Sequence, residues 1–301
     1  MTNPYPGPME PWPALKRFSR PIVTSINHLK LFAYDTLPDG DDTRPVTVLI
    51  HGLGDEADTW RHLVEPLSQH RRVIALDLPG FGRSDQSRRS YDLSFFRRTI
   101  VSLLDTLNLQ KTQLIGHSLG GMIAHTVALH YPERVNDLVL IDGSIPVTSQ
   151  KLSLKTLLGL LPLVGERAYN GLRGYPDKAY GSLAPFYADI TKLPDVDRTF
   201  LYQRVNERVW SDAQRDAYFS VWRQLPLWMV RHQRVELNLI HGLSVPTTIV
   251  WGQDDQIVPL SSGQALARIQ PNSHLVVIPY SGHMPHQEQP EAVINSLLTR
   301  G

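Results

Sequence analysis

The sequence contains no cysteine, which removes disulfides, thiolate nucleophiles and thiolate metal ligands together and fits a reducing compartment. It also carries almost no net charge. Thirty Lys and Arg residues against 29 Asp and Glu leave a formal balance of +1, so there is no broad field for holding nucleic acid or an acidic membrane surface. Long apolar runs are missing too: the opening MTNPYPGPMEPWPALKRF lacks the apolar centre of a signal peptide, and no stretch approaches the length that spans a bilayer. These absences lead to the expectation of a cytoplasmic protein without an integral membrane segment, acting on a small molecule. They carry no signal for oligomeric state.

What is present builds a core. With 301 residues, 42% of them hydrophobic, the chain is long enough for one large domain or a core bearing an insertion, given about 100 to 200 residues per domain. Residues 1–20 are proline-rich and predict an irregular arm on the surface. From Pro21, IVTSINHLKLFAYDTL alternates like a strand pair with its bend near Asn27, and the polar PDGDDTRP loop follows. VTVLIHG is then short, continuous and β-branched, as a strand buried on both faces must be. The same signal recurs at RRVIALDL, TQLIGH, VNDLVLIDG, TTIVWG and HLVVIPY. Helix-period segments such as YDLSFFRRTIVSLLDTLNL and LGGMIAHTVALHYPE separate most of these strands. The alternation predicts an α/β fold with a mostly parallel sheet flanked by helices and the early strand pair at one edge. Residues 144–242 lack a convincing buried strand while Leu, Trp and Tyr recur at helical spacing. They read as a helical cap inserted between core segments 21–143 and 243–301.

The chemistry begins at TQLIGHSLGG. Ser118 falls where a strand turns into a helix, inside Gly116-His117-Ser118-Leu119-Gly120, which fits the G-x-S-x-G nucleophile elbow. The glycines are needed because two backbones pass close to a side chain raised on so sharp a turn. The helix beginning there aims free N–H groups and its positive dipole end at the serine, and the N–H of Leu119 is placed to stabilise charge on an attacked carbonyl oxygen.

A serine hydroxyl needs a base to act as a nucleophile at neutral pH. Of the twelve histidines, His283 is the candidate, because it follows the last strand in SGHMPHQEQPE, at the sheet edge where active groups gather. His125 and His130 lie on the helix after the serine and read as packing or surface residues, while His117 points elsewhere from the turn. The orienting acid is sought in WGQDDQIVP, which holds Asp254 and Asp255. Asp255 is favoured, and Asp142, at the end of VNDLVLI, competes. The chain order is then Ser, Asp, His.

With these stretches in place, the sequence resembles the α/β-hydrolase superfamily from Pro21 to the C-terminus, the cap excepted. The likeness rests on LIHGLG, DLPGFGRSD, LIGHSLGG, VLIDGS, WGQDDQIVP and SGHMPHQEQPE. It implies a catalytic triad of Ser118, Asp255 and His283, with the family's G-x-x-D pattern falling on Gly252 and Asp255. It further implies that the His51 to Gly54 loop supplies Leu53 N–H as the second oxyanion donor, His51 itself being structural. Haloalkane dehalogenases and epoxide hydrolases of this superfamily carry aspartate at the elbow, so the serine speaks against both activities. The carbon–carbon bond hydrolases of ring-fission products share the triad and the cap, but typically show H-G-x-G-P-G and a tryptophan after the histidine. Here Asp55 and Met284 stand in those places. The resemblance implies a serine esterase or lipase-like hydrolase using no cofactor and no metal. Its alternatives are a carbon–carbon bond hydrolase and a non-catalytic receptor on the same fold.

Two other chemistries are weaker. Gly52 to Ala57 satisfies G-x-G-x-x-A, with Asp77 at the end of the next strand as a ribose-binding acid, yet Asp55 and Glu56 would repel a pyrophosphate there. The histidines form no H-E-x-x-H or comparable metal motif. In the cap, KLSLKTLLGLLPLVGERAYNGL and then Trp210, Tyr218, Phe219, Trp222 and Trp228 predict mainly packing onto the sheet. Some must face the serine and line an apolar pocket suited to an acyl chain or aromatic ester. Contact of the same leucines with a membrane surface is a minor reading.

Overall fold

The computed structural model describes residues 2–26, 28–37, 44–88, 90–148 and 161–298. One eight-stranded sheet organises the chain in the order β1-β2-β4-β3-β5-β6-β7-β8. The strands are β1 (Ser19–Val23), β2 (Lys30–Asp35), β3 (Val46–Ile50), β4 (Arg72–Leu76), β5 (Thr112–His117), β6 (Val135–Ile141), β7 (Thr247–Gly252) and β8 (Ser273–Ile278). β1 and β2 pair antiparallel, β2 joins β4 antiparallel, and every later pairing is parallel. The early pair thus forms the edge the sequence predicts. Its expected bend at Asn27 lies outside the described residues, as do residues 38–43 of the polar loop and residues 151–160 of the leucine-rich run.

The strand pleat sends alternate residues to opposite faces, and both faces are covered. Val48 and Ile50 of β3 join one core with Leu114, Leu138, Leu140 and Ile249, whereas Leu49 joins the other with Ile115, Val139 and Val250. The flanking helices are α1 (Val64–Ser68), α2 (Leu93–Thr106) and α3 (Leu119–His130). Asp92 caps α2 by accepting a hydrogen bond from the Phe95 N–H at 2.7 Å, which satisfies one of the orphan donors at that helix end.

Between β6 and β7 the described residues hold only helical elements: α4 (Val164–Gly171), α5 (Pro176–Gly181), α6 (Asp195–Trp210), the long α7 (Asp212–Gly242) and short 3₁₀ turns. The chain then returns to the sheet through β7, α8 (Leu260–Ile269), β8, α9 (Pro285–Glu288) and α10 (Pro290–Leu298). The inserted helices form one small cluster of their own around Ala179, Val205 and Val209, and a second in which Leu193 and Leu201 meet Met284 of the loop after β8. They also carry Ala217, Val221 and Trp228 into the main core.

The proline-rich start is more ordered than its composition suggests. Pro13–Phe18 forms a 3₁₀ turn with proline at its first position, where the missing N–H costs nothing, and β1 already begins at Ser19. Leu15 is fully buried against the second core, and the Trp12 N–H donates to Tyr34 Oη and Asp58 Oδ1. Leu15→Ala should therefore lower the unfolding free energy by about 2–5 kcal/mol. Urea denaturation would measure it, and a loss within error would mean the arm adds nothing to the core.

Candidate active site

Ser118 stands on the turn between β5 and α3 with φ 51° and ψ −117°. This sparsely populated conformation is kept because the surroundings over-determine it. The Ser118 N–H is held by Ile141 O at 2.9 Å, and the Ser118 carbonyl accepts from Met122 N–H at 3.1 Å. A Cβ at position 116 would lie 2.2 Å from Gly120 O, and one at position 120 would lie 2.0 Å from Ile50 O. Both glycines are thus demanded by close backbone approach. Leu119 opens α3, so its N–H has no partner within the helix. Leu53, Leu119 and Ser118 line one cavity together.

His283, in the loop beyond β8, reaches the serine. Its Nε2 lies 3.0 Å from Ser118 Oγ and its Nδ1 lies 2.7 Å from Asp255 Oδ2. Asp255 Oδ1 accepts the N–H groups of Ile257 and Val258 at 2.7 and 2.9 Å. This assigns the imidazole as a donor at Nδ1 and an acceptor of the serine proton at Nε2. Asp254 is exposed, and its N–H donates to Ser281 O. Asp142 is buried at the end of β6, where its Oδ1 accepts the Gly252 N–H at 2.8 Å.

The neighbouring histidines hold this arrangement. His51 donates from Nδ1 to Gly52 O at 2.7 Å and accepts the Leu78 N–H at Nε2 at 2.8 Å, clasping the loop after β3 to the end of β4. Burial keeps its basicity below that of an ordinary histidine. His117 does more than the sequence suggests, since its Nε2–H donates to the His283 carbonyl at 2.7 Å. Burial, with His283 adding to it, drives the His117 pKa to about 3, so this donor remains neutral at working pH. The His283 N–H is held by Phe186 O, from the inserted segment, at 2.7 Å.

A family model described as an alpha/beta hydrolase fold matches residues 45–290. The chain belongs to the α/β-hydrolase-fold family. A 2-hydroxy-6-oxononadienedioate/2-hydroxy-6-oxononatrienedioate hydrolase of Paraburkholderia phymatum is 30% identical over 264 residues, covering 83% of this chain and 85% of that protein. An uncharacterized protein of Mycobacterium tuberculosis is 28% identical, with 83% of this chain and 73% of the relative covered. Among solved structures, Cfl2 from Burkholderia cenocepacia superposes with a TM-score of 0.80 at 22% identity, over 98% of this chain and 99% of that one, a likeness of fold. Hydrolysis is the activity that the family and the Paraburkholderia phymatum relative support.

In this α/β hydrolase two cavities meet at Ser118 and Leu53. One, of about 170 Å³, is lined by Tyr169, Phe186, Tyr187, Arg208, Tyr218 and Gln287, among others. The second, of about 240 Å³, is more apolar, with Met122, Val147, Leu225, Met229, Trp251 and Val258 on its walls. Of the five aromatic residues singled out between 210 and 228, Tyr218 lines a cavity, while Trp228 is buried in the main core and donates its indole N–H to Ser94 Oγ at 2.8 Å. Arg208 is the one Arg or Lys among the described residues lining the two cavities. It is engaged by Asp55 at 2.5 Å and Glu56 at 2.7 Å. Burial works against ionising Glu56, but the Arg208 and Arg204 guanidinium groups outweigh it and hold the carboxyl below its ordinary value.

These ion pairs were not legible in the sequence, and they also settle the G-x-G-x-x-A pattern. Asp55 and Glu56 face arginines of α6, and the Ala57 N–H is already given to Asp77 Oδ1 at 2.7 Å. Residues 57–60 form a 3₁₀ turn and α1 starts only at Val64, so the helix N-terminus that a pyrophosphate needs is not there. For metals, Asp142, Asp255 and His283 have ligand atoms within 4.8 Å of one another. Both His283 nitrogens are engaged, by Asp255 and Ser118. Among the described residues, no helix is long and apolar enough to cross a membrane.

Proposed function

We propose that this chain is a serine hydrolase cleaving carboxylic esters with acyl or aromatic groups, through Ser118, His283 and Asp255. The observation that carries the reading is the continuous hydrogen-bonded row from Asp255 through His283 to Ser118, at 2.7 and 3.0 Å, standing where two largely apolar cavities meet. His283 Nε2 takes the Ser118 proton as Oγ attacks the carbonyl carbon, while Asp255 orients the imidazole and stabilises its charged form. The N–H groups of Leu53 and Leu119 receive the oxyanion. The imidazolium then protonates the leaving alcohol, and a water deprotonated by the same base releases the acid and regenerates Ser118. This chemistry needs neither metal nor cofactor. The described residues of the 144–242 segment act as the cap that shapes the cavities over the serine.

Likeness to a hydrolase of oxononadienedioates favours carbon–carbon bond cleavage as the second reading. The charges lining the site weigh against it. A substrate bearing carboxylates would find the cavity's guanidinium already neutralised by Asp55 and Glu56, and a third buried negative charge there would be unpaired. A panel of p-nitrophenyl esters of graded acyl length, assayed beside a ring-fission dienoate, separates the two. Turnover of neutral esters with the dienoate left intact is expected; a higher kcat/KM for the dienoate would reverse the assignment. A receptor role would appear as reaction of Ser118 with an organophosphonate but no turnover of any ester.

A further inference from the structure

Asp142 is fully buried, and the mechanism above gives it no task. Its backbone, at φ 46°, lies in the left-handed region, which Asp and Asn tolerate better than most residues. This turn carries the carboxyl to the end of β7, where the Gly252 N–H meets Oδ1 at 2.8 Å. Oδ2 has no donor, although it is buried. The carboxyls of Asp142 and Asp255 and the imidazole of His283 lie within 4.8 Å of one another. The partners are unequally shared: Asp255 receives three donors, from His283, Ile257 and Val258, and Asp142 receives one. Two carboxylates this close cannot both ionise out of water, and the one poorer in donors keeps the proton.

We propose that Asp142 stands beside the triad as a neutral acid whose Oδ2–H donates to the Asp255 carboxylate, making it a positioning residue for the acid that orients His283. The inference rests on the triad reading for its kinetic consequences, but not for the protonation itself. Burial and the adjoining Asp255 push the Asp142 carboxyl well above its ordinary value, with Glu288 adding to the effect. The titratable groups bearing on it are therefore Asp255, His283 and Glu288. The row of hydrogen bonds at Ser118 thus extends one residue beyond the triad, and the pair of aspartates carries one negative charge rather than two.

Infrared difference spectra and pH–rate profiles of Asp142→Asn and Asp142→Ala test this. At neutral pH the wild type should show a protonated-carboxyl carbonyl band that both variants lack, a readout independent of catalysis. Asp142→Ala should lower kcat about tenfold, as expected for losing a hydrogen bond to a charged group, with KM little changed. Asparagine, whose amide N–H can replace the O–H donor, should recover most of that loss and leave the acidic limb of kcat/KM in place. If no protonated band disappears, or if Asp142→Asn moves the acidic limb down by about one pH unit or more, as removing a nearby negative charge would, Asp142 is ionised and the proposal is wrong. Asparagine performing as poorly as alanine would also overturn it. Failure of the wild type to label at Ser118 with an organophosphonate would instead count against the triad reading, and the infrared band would still decide the protonation of Asp142.

Discussion

Ser118→Ala is expected to lower ester turnover by about 10⁴-fold or more, because the proposed nucleophile is lost while the proposed oxyanion donors and the cavities remain. Stability should change little by comparison. The hydroxyl is half-buried and its hydrogen bond to His283 is one of many around the turn, while the alanine Cβ occupies the space the serine Cβ already has. Stopped-flow or steady-state hydrolysis of a p-nitrophenyl ester, with a thermal melt as the folding control, checks both halves of the expectation. Residual turnover within tenfold of wild type would remove Ser118 from the mechanism.

The second large effect is one of stability. Arg208→Met should lower the unfolding free energy by about 3–5 kcal/mol, the usual result of breaking a buried ion pair from one side. Asp55 and Glu56 lose the guanidinium that faces them at 2.5 and 2.7 Å, and Arg204 remains near Glu56 at 3.3 Å. The pH dependence follows from the sign of the Glu56 shift. Its carboxyl is held below the ordinary value of about 4.3 by Arg208 and Arg204 against the opposing effect of burial. The contribution is therefore fully present above that ordinary value and is lost as pH falls through the lower native one. With methionine at position 208 this acid-side loss should shrink. Urea midpoints measured at a series of pH values would show it. The same pair ties α6 to the loop carrying Leu53, so ester turnover should fall as well.

The sheet was legible because its strands announce themselves physically. Runs such as VTVLI and TTIVWG are apolar on consecutive positions, as only a strand covered on both faces can be, and β3 and β7 lie where those runs fall. Ser118 was legible because a strained turn at φ 51° leaves its mark in the flanking Gly116 and Gly120, where a Cβ would strike backbone. The loops carrying Asp255 and His283 were legible from their places after the last two strands. What stayed hidden depends on contacts between residues far apart in the chain. Arg208 meets Asp55 and Glu56 across about 150 positions, and no local pattern encodes that meeting. His117 looked idle because its donor finds the backbone carbonyl of position 283, and a backbone acceptor leaves no trace in side-chain identity. The opening arm departs from its expected irregular surface course only in its second half: residues 2–12 form no helix or strand and are mostly exposed, whereas Pro13 starts a 3₁₀ turn that buries Leu15.

The proposed mechanism requires Ser118 to become covalently acylated. Acid-quenched reaction with a p-nitrophenyl ester, followed by peptide mass spectrometry, tests that directly. The mechanism predicts the acyl mass on the peptide containing Ser118, formed in a burst with nitrophenolate and absent from Ser118→Ala. Steady turnover with no adduct on Ser118, or with the acyl group on another residue, would contradict it.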